Sequence, residues 1–157
     1  MQVTYGPEFN VAAENVTFRS GVMALQDHML GLPSTLEDCT LRHIFAPGNY
    51  AREMMIPKGT LIIGKIHKHA HLNIISKGRV HVATEFGPVS FEAPHTFVSE
   101  PGTKRAVYAL EDTIWTTIHA TDETDLDKIE NYVIAKSYED FESLVALEPF
   151  KVQGEIL

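Results

Sequence analysis

The sequence predicts a mainly β protein, an antiparallel sandwich or barrel with a short helix before it and helices after it. Three observations carry that expectation. Residues 40–119 divide into short β-branched and aromatic runs, each closed by Gly, Pro or Asp. A stretch with helical spacing precedes them, and an acid-rich stretch that opens in helical fashion follows.

Residues 1–19 are mixed, with strand-like pieces such as Val16-Thr17-Phe18. Ser20–Leu30 reads as a short helix: Ser20 can cap it and Gly31-Leu32-Pro33 stops it. Its Val22, Leu25 and Met29 make a packing stripe, and His28 is a surface residue. The strand runs then follow. TLRHIF and YAREMMI flank Pro47-Gly48-Asn49; Pro57-Lys58-Gly59 leads to TLIIGKIH and LNIIS. RVHVATEF follows Lys77-Gly78, and VSFEA and TFVSE flank Pro94-His95. KRAVYAL follows Pro101-Gly102 and turns at Glu111-Asp112 into TIWTTIH. After His119, Thr121-Asp122-Glu123-Thr124 opens a helix with acids in its first turn, continued by DLDKIENYVI. Ser137 with Asp140 three residues on begins another. Leu126, Ile129, Tyr132, Val133, Phe141 and Leu144 would pack these helices on the outside of the β core.

A chain of 157 residues is expected to form one domain, residues 1–157, with a β core of about 40–120 and a helical appendage of about 121–148. No apolar run reaches the length of a membrane helix, and MQVTYGPEFN lacks the order of a secretory signal. The lone Cys39 excludes an internal disulfide, so the expected location is the cytoplasm. A net charge of −8 argues against binding a nucleic-acid polymer. That charge is uneven. Between Tyr50 and His81 six Lys or Arg face the single acid Glu53, whereas residues 121–148 carry nine acids against Lys128 and Lys136. Such a basic centre suits a local anion site, or else a solvated face.

The most informative stretch is Lys65, His67, His69 and His71. Residues two apart share one face of a strand, so an extended chain projects all four in one direction. The same stretch carries a family resemblance. With the final glycine of the first motif anchored at Gly78, His71 takes a glutamate place, His67 the second histidine place and Lys65 the first. Gly102-Thr103-Lys104-Arg105 resembles the second motif, with Arg105 where a metal-binding histidine would stand. The pattern, over roughly residues 45–120, resembles the cupins, and the run GKIHKHAHLNIISKGRVHVATE resembles small cupin-like proteins of bacteriophage and prophage genomes. The resemblance implies a single cupin barrel, the jelly roll or double-stranded β-helix. It also implies a site inside the barrel, homo-oligomerisation and, for a phage-encoded chain, the host cytoplasm.

Three functional expectations follow. In the leading one, the barrel holds a small anionic ligand, such as a phosphorylated sugar, a nucleotide or an organic acid, and requires no cofactor. Lys65, His67, His71 and Arg105 would bind it, with His69, Tyr108 and His119 as further contacts and Trp115 as an aromatic surface. A phage protein of this kind could sequester a host nucleotide signal. In the alternative, His67, His69, His71 and His119 hold a divalent transition metal for lyase, isomerase or oxygenase chemistry. Glu53 or Glu85 would then be the nearest carboxylates. The third expectation is a structural or virion-associated protein whose histidines face water. His43 and His81 read as ordinary strand positions, and His95 as a loop residue near the barrel mouth.

Overall fold

The computed structural model describes residues 11–33 and 38–147. Helix α1 (Val11–Leu30) leads into β1 (Thr40–Ala46), β2 (Asn49–Ile56), β3 (Leu61–Ile63), β4 (Ile66–His67) and β5 (His71–Lys77). Next come β6 (Arg79–Thr84), β7 (Gly87–Glu92), β8 (His95–Ser99), β9 (Ala106–Ala109) and β10 (Thr113–Ala120). The chain then runs through α2 (Leu126–Val133), β11 (Ile134–Ala135) and α3 (Tyr138–Leu147). Five strands form one sheet in the order β1-β2-β10-β5-β8, and four form another in the order β3-β9-β6-β7. Every pairing is antiparallel. This is the expected jelly roll. Among the described residues no helix is long and apolar enough to cross a membrane.

The two sheets meet at a core of Ile75 from β5, Val80 and Val82 from β6, and Val107 from β9. Phe91, Ala93, Phe97 and Trp115 pack against it and fill that end of the barrel. Alternation of buried and exposed residues along β6 gives Val80 and Val82 to the inside and Arg79, His81 and Ala83 to the outside. Burying each such side chain stabilises the fold by about 1.5–3 kcal/mol. The β5–β6 turn is closed by Gly78 at φ +88°. A Cβ there would stand 2.5 Å from the Asp112 carbonyl oxygen, which only glycine tolerates.

Several expected boundaries move. Helix α1 begins at Val11 rather than Ser20, so the strand-like 16–18 segment is helical. Three residues of high β-propensity are too short a run to override helical neighbours such as Ala12, Ala13 and Glu14. The predicted stripe holds: Val22 is buried, Leu25 and Met29 half-buried, and His28 exposed. TLIIGKIH is two strands, because Gly64 leaves the ladder and donates its N–H to the Arg105 carbonyl at 2.8 Å. Asp125, not Thr121, caps α2, accepting from the N–H groups of Asp127 and Lys128. That helix stops at Val133, and Ile134 pairs with His67 instead of continuing it. The Ser137 expectation is met: its hydroxyl accepts from the Asp140 N–H at 3.0 Å. Residue 148 of the expected appendage and residues 1–10 lie outside the described residues.

The helices are not simply outside the barrel. Ile129 and Val133 of α2 pack on Tyr50, whereas Leu126, Tyr132 and Leu144 stay exposed. Phe141 of α3 packs with Ile66 and Ala135. Helix α2 therefore roofs the open end of the barrel. Two bonds tie it down beside β4, from the Lys68 N–H to the Val133 carbonyl at 2.8 Å and from Lys68 Nζ to the Asn131 carbonyl at 2.7 Å.

Candidate functional site

Beneath α2 lies a cavity of about 470 Å³. Its walls divide by chemistry. Leu41, Met54, Ile56, Ile62, Val107 and Trp115 form an apolar side. The polar side begins with three imidazoles from three strands: His67 on β4, His71 on β5 and His119 on β10. Their ring centroids are 4.1 Å apart for His67–His71, 4.8 Å for His71–His119 and 5.6 Å for His67–His119. Tyr50 stacks on His119 at 6.1 Å, and its hydroxyl shares a 2.8 Å hydrogen bond with His43 Nδ1.

These imidazoles are neutral at physiological pH. Burial pushes His67 down to about 3, helped by His71, His119 and Arg52 and opposed by a backbone bond with Thr103. Burial likewise pushes His119 down to about 4, with His71, Arg52 and His69 adding to it. His71 is lowered by burial too, and Arg105 adds to this against a hydrogen bond to the His69 carbonyl. Each neutral ring offers one donor and one acceptor.

Arg105 is the charged group at the floor. Its guanidinium donates to Ser99 Oγ at 2.5 Å and lies over the Phe97 ring at 5.6 Å. Ser99 Oγ also accepts from Asn73 Nδ2 at 2.8 Å, and Asn73 Oδ1 accepts from Trp115 Nε1 at 3.0 Å. This chain holds the floor rigid and leaves one group over: among the described residues, Arg105 Nε is buried without a hydrogen-bond partner. Burial lowers the Arg105 pKa, with Glu85 opposing, yet an arginine remains a cation.

The structure thus brings His67, His71, His119, Arg105 and Trp115 to one cavity, with Lys65 at its edge, and distributes the other expected residues elsewhere. Lys65 sits at the rim, more than half exposed, in an ion pair with Glu130 of α2. The expected alternation from Lys65 to His71 breaks because residues 68–70 form a loop between β4 and β5. His69 consequently turns outward onto the Tyr132 ring at 4.6 Å. Tyr108 is 43% exposed and does not line the cavity. Trp115 serves both as cavity wall and as core anchor. Glu53 bonds Arg42 at 2.9 Å, and Glu85 lies in the β6–β7 turn, so neither carboxylate enters the histidine cluster. His95 is stacked between Phe91 and Phe97, away from the cavity, and His81 shares a hydrogen bond with Ser90.

Sequence reasoning missed Arg52, Tyr50 and His43, all of which line the cavity. For Tyr50 and Arg52 the signal was the alternation Tyr50, Arg52, Met54, Ile56 along β2. It becomes legible only through the pairing of Tyr50 with His119 and Arg52 with Thr117 across β2 and β10. Arg52 is half-buried, and among the described residues no carboxylate lies within ion-pair distance of it or of Arg105.

The arrangement of the cluster does not favour a metal. Among the described residues no three His, Cys, Asp or Glu side chains are posed to hold an ion. The nearby charges, Arg52 and Arg105, are cationic.

No family profile and no curated protein matches the sequence. Solved structures do match in fold. A salicylate 1,2-dioxygenase from Pseudaminobacter salicylatoxidans aligns with a TM-score of 0.51 and 11% identity, over 74% of this chain and 35% of that one. A cupin superfamily protein from Desulfitobacterium hafniense aligns at 0.48 and 8% identity, over 58% and 84%. An acetylacetone dioxygenase from Acinetobacter johnsonii aligns at 0.45 and 15% identity, over 52% and 59%. This chain thus spans less than two thirds of either dioxygenase. The likeness is one of fold, and the fold is the cupin jelly roll.

Proposed function

We propose that this cupin-fold protein binds a small anionic ligand in the barrel cavity, with Arg105 as the principal anchor and His67, His71 and His119 as neutral hydrogen-bonding partners. One observation carries this reading: a half-buried guanidinium whose Nε is buried without a partner and which has no carboxylate within ion-pair distance among the described residues, Glu85 acting on it only from farther away. Withdrawing a guanidinium from water without a close counter-charge costs free energy, which an incoming anion offsets. The apolar side of the cavity suits the carbon skeleton of the same ligand.

Lys65 plays a lesser part in this reading, since Glu130 already neutralises it at the rim. The ligand classes are phosphorylated sugars, nucleotides and organic acids. A homo-oligomer is part of the proposal. On the outer face of the five-stranded sheet, Ile44, Ala51, Ile118, Leu72 and Val98 lie opposite one another in one continuous row. Light scattering on purified protein tests that point.

The decisive experiment is a thermal-shift panel over those three anion classes. A ligand present at a hundred times its Kd stabilises the fold by about 2.7 kcal/mol. A shift that Arg105→Gln abolishes supports the reading. A panel with no shift, or a shift indifferent to Arg105→Gln, overturns it.

A further inference from the structure

Arg105 is not the only cation turned into the cavity. Arg52 enters from β2 in the five-stranded sheet, whereas Arg105 enters at the start of β9 in the four-stranded sheet. The histidine cluster separates them. Arg52 acts on His67 and His119, and Arg105 acts on His71. Neither guanidinium has an ion-pair partner among the described residues. The two carboxylates of the roof do not change this, because Glu130 pairs with Lys65 and Asp127 lies exposed in the first turn of α2, and Glu85 of the β6–β7 turn acts on Arg105 only from beyond ion-pair distance.

A single compact anion at Arg105 would leave Arg52 uncompensated, and one at Arg52 would leave Arg105 so. We infer that the cavity selects a ligand with two anionic groups on one short carbon skeleton, a dicarboxylate, held with one end at Arg105 and the other at Arg52. This inference rests on the anion-binding reading and narrows it. Each arginine presents a planar fork that matches a carboxylate edge. Between them, the neutral imidazoles can donate to or accept from hydroxyl or carbonyl groups on the skeleton, and Met54, Ile56 and Trp115 can cover its methylenes.

The test is calorimetric titration of the full chain with glutarate, adipate and phthalate, each against its chain-matched monoacid. A charge-assisted hydrogen bond to a second carboxylate predicts that at least one diacid binds about tenfold or more tightly than its monoacid. In Arg52→Gln that ratio should fall to near one, and Arg52→Lys should restore part of it. Far-ultraviolet circular dichroism establishes that each variant is folded. Diacids and monoacids that bind equally through Arg105 would overturn the two-ended inference and leave anion binding intact. A diacid advantage indifferent to Arg52→Gln would overturn it as well. Absence of binding by every acid in the set would sink the two-ended inference, whereas the anion-binding reading would then be judged on the phosphorylated sugars and nucleotides.

Discussion

Asn73 is the joint between the core and the cavity floor, and replacing it has a cost that can be worked out. Its side chain is 2% exposed and makes two bonds to other side chains, accepting from Trp115 Nε1 at 3.0 Å and donating to Ser99 Oγ at 2.8 Å, beside a longer one to the His71 carbonyl at 3.4 Å. Asn73→Ala strands the indole N–H, at about 1–3 kcal/mol, and forfeits the second bond, at about 1 kcal/mol. The loss should therefore total about 2–4 kcal/mol, a fall in Tm of about 5–15 °C for a domain this size. Urea denaturation of four proteins, with Trp115→Phe as the second substitution, isolates the pair. Phe keeps most of the ring but has no N–H, so Asn73→Ala should cost less in that background, with a coupling of about 1 kcal/mol. Independent sites add to within about 0.3–0.5 kcal/mol. Strict additivity, or a single-variant cost below about 1 kcal/mol, would refute the account of the floor.

Other expectations concern pH, a turn and the rim. His67 and His119 are held near 3 and 4 in the fold against about 6.5 when unfolded, so the unfolded chain binds more protons between those values. Their contribution is full above about pH 6.5 and fades as pH falls toward the folded values. Between pH 7.5 and 5.5 denaturation midpoints should record a loss of about 2–3 kcal/mol, and a flat profile would contradict it. Gly78→Ala drives a Cβ against the Asp112 carbonyl at positive φ, so denaturation should show a loss of about 1–3 kcal/mol or more. Lys65→Ala removes an exposed ion pair, which should change stability by no more than about 1 kcal/mol. Its effect on ligand affinity should be far smaller than that of Arg105→Gln.

Much of the barrel was legible because its turns are written in Gly, Pro and Asp, and period-two alternation sorts Val80 and Val82 from their neighbours. Placement within the cavity was legible only in part. His67, His71 and Arg105 follow from the motif frame, since a frame anchored on Gly78 and Gly102 reports facing as well as strand. His69 was misplaced because alternation assumes an unbroken strand, and residues 68–70 leave theirs. Arg52 was invisible for a different reason. Its facing depends on the long-range pairing of β2 with β10, which local pattern does not encode. The roof was missed likewise: the apolar stripe of α2 says that Ile129 and Val133 are covered, not that they cover a void.

The pairing of β11 with β4 makes the segment after the barrel, α2 through α3, a structural part of the cavity. Ile134 is bonded to the same short strand that carries His67, so displacing the last helices would displace an imidazole of the cavity. A purification handle or fusion partner belongs at the other end of the chain. Trimming the tail back to the barrel would unroof the guest site instead of isolating it.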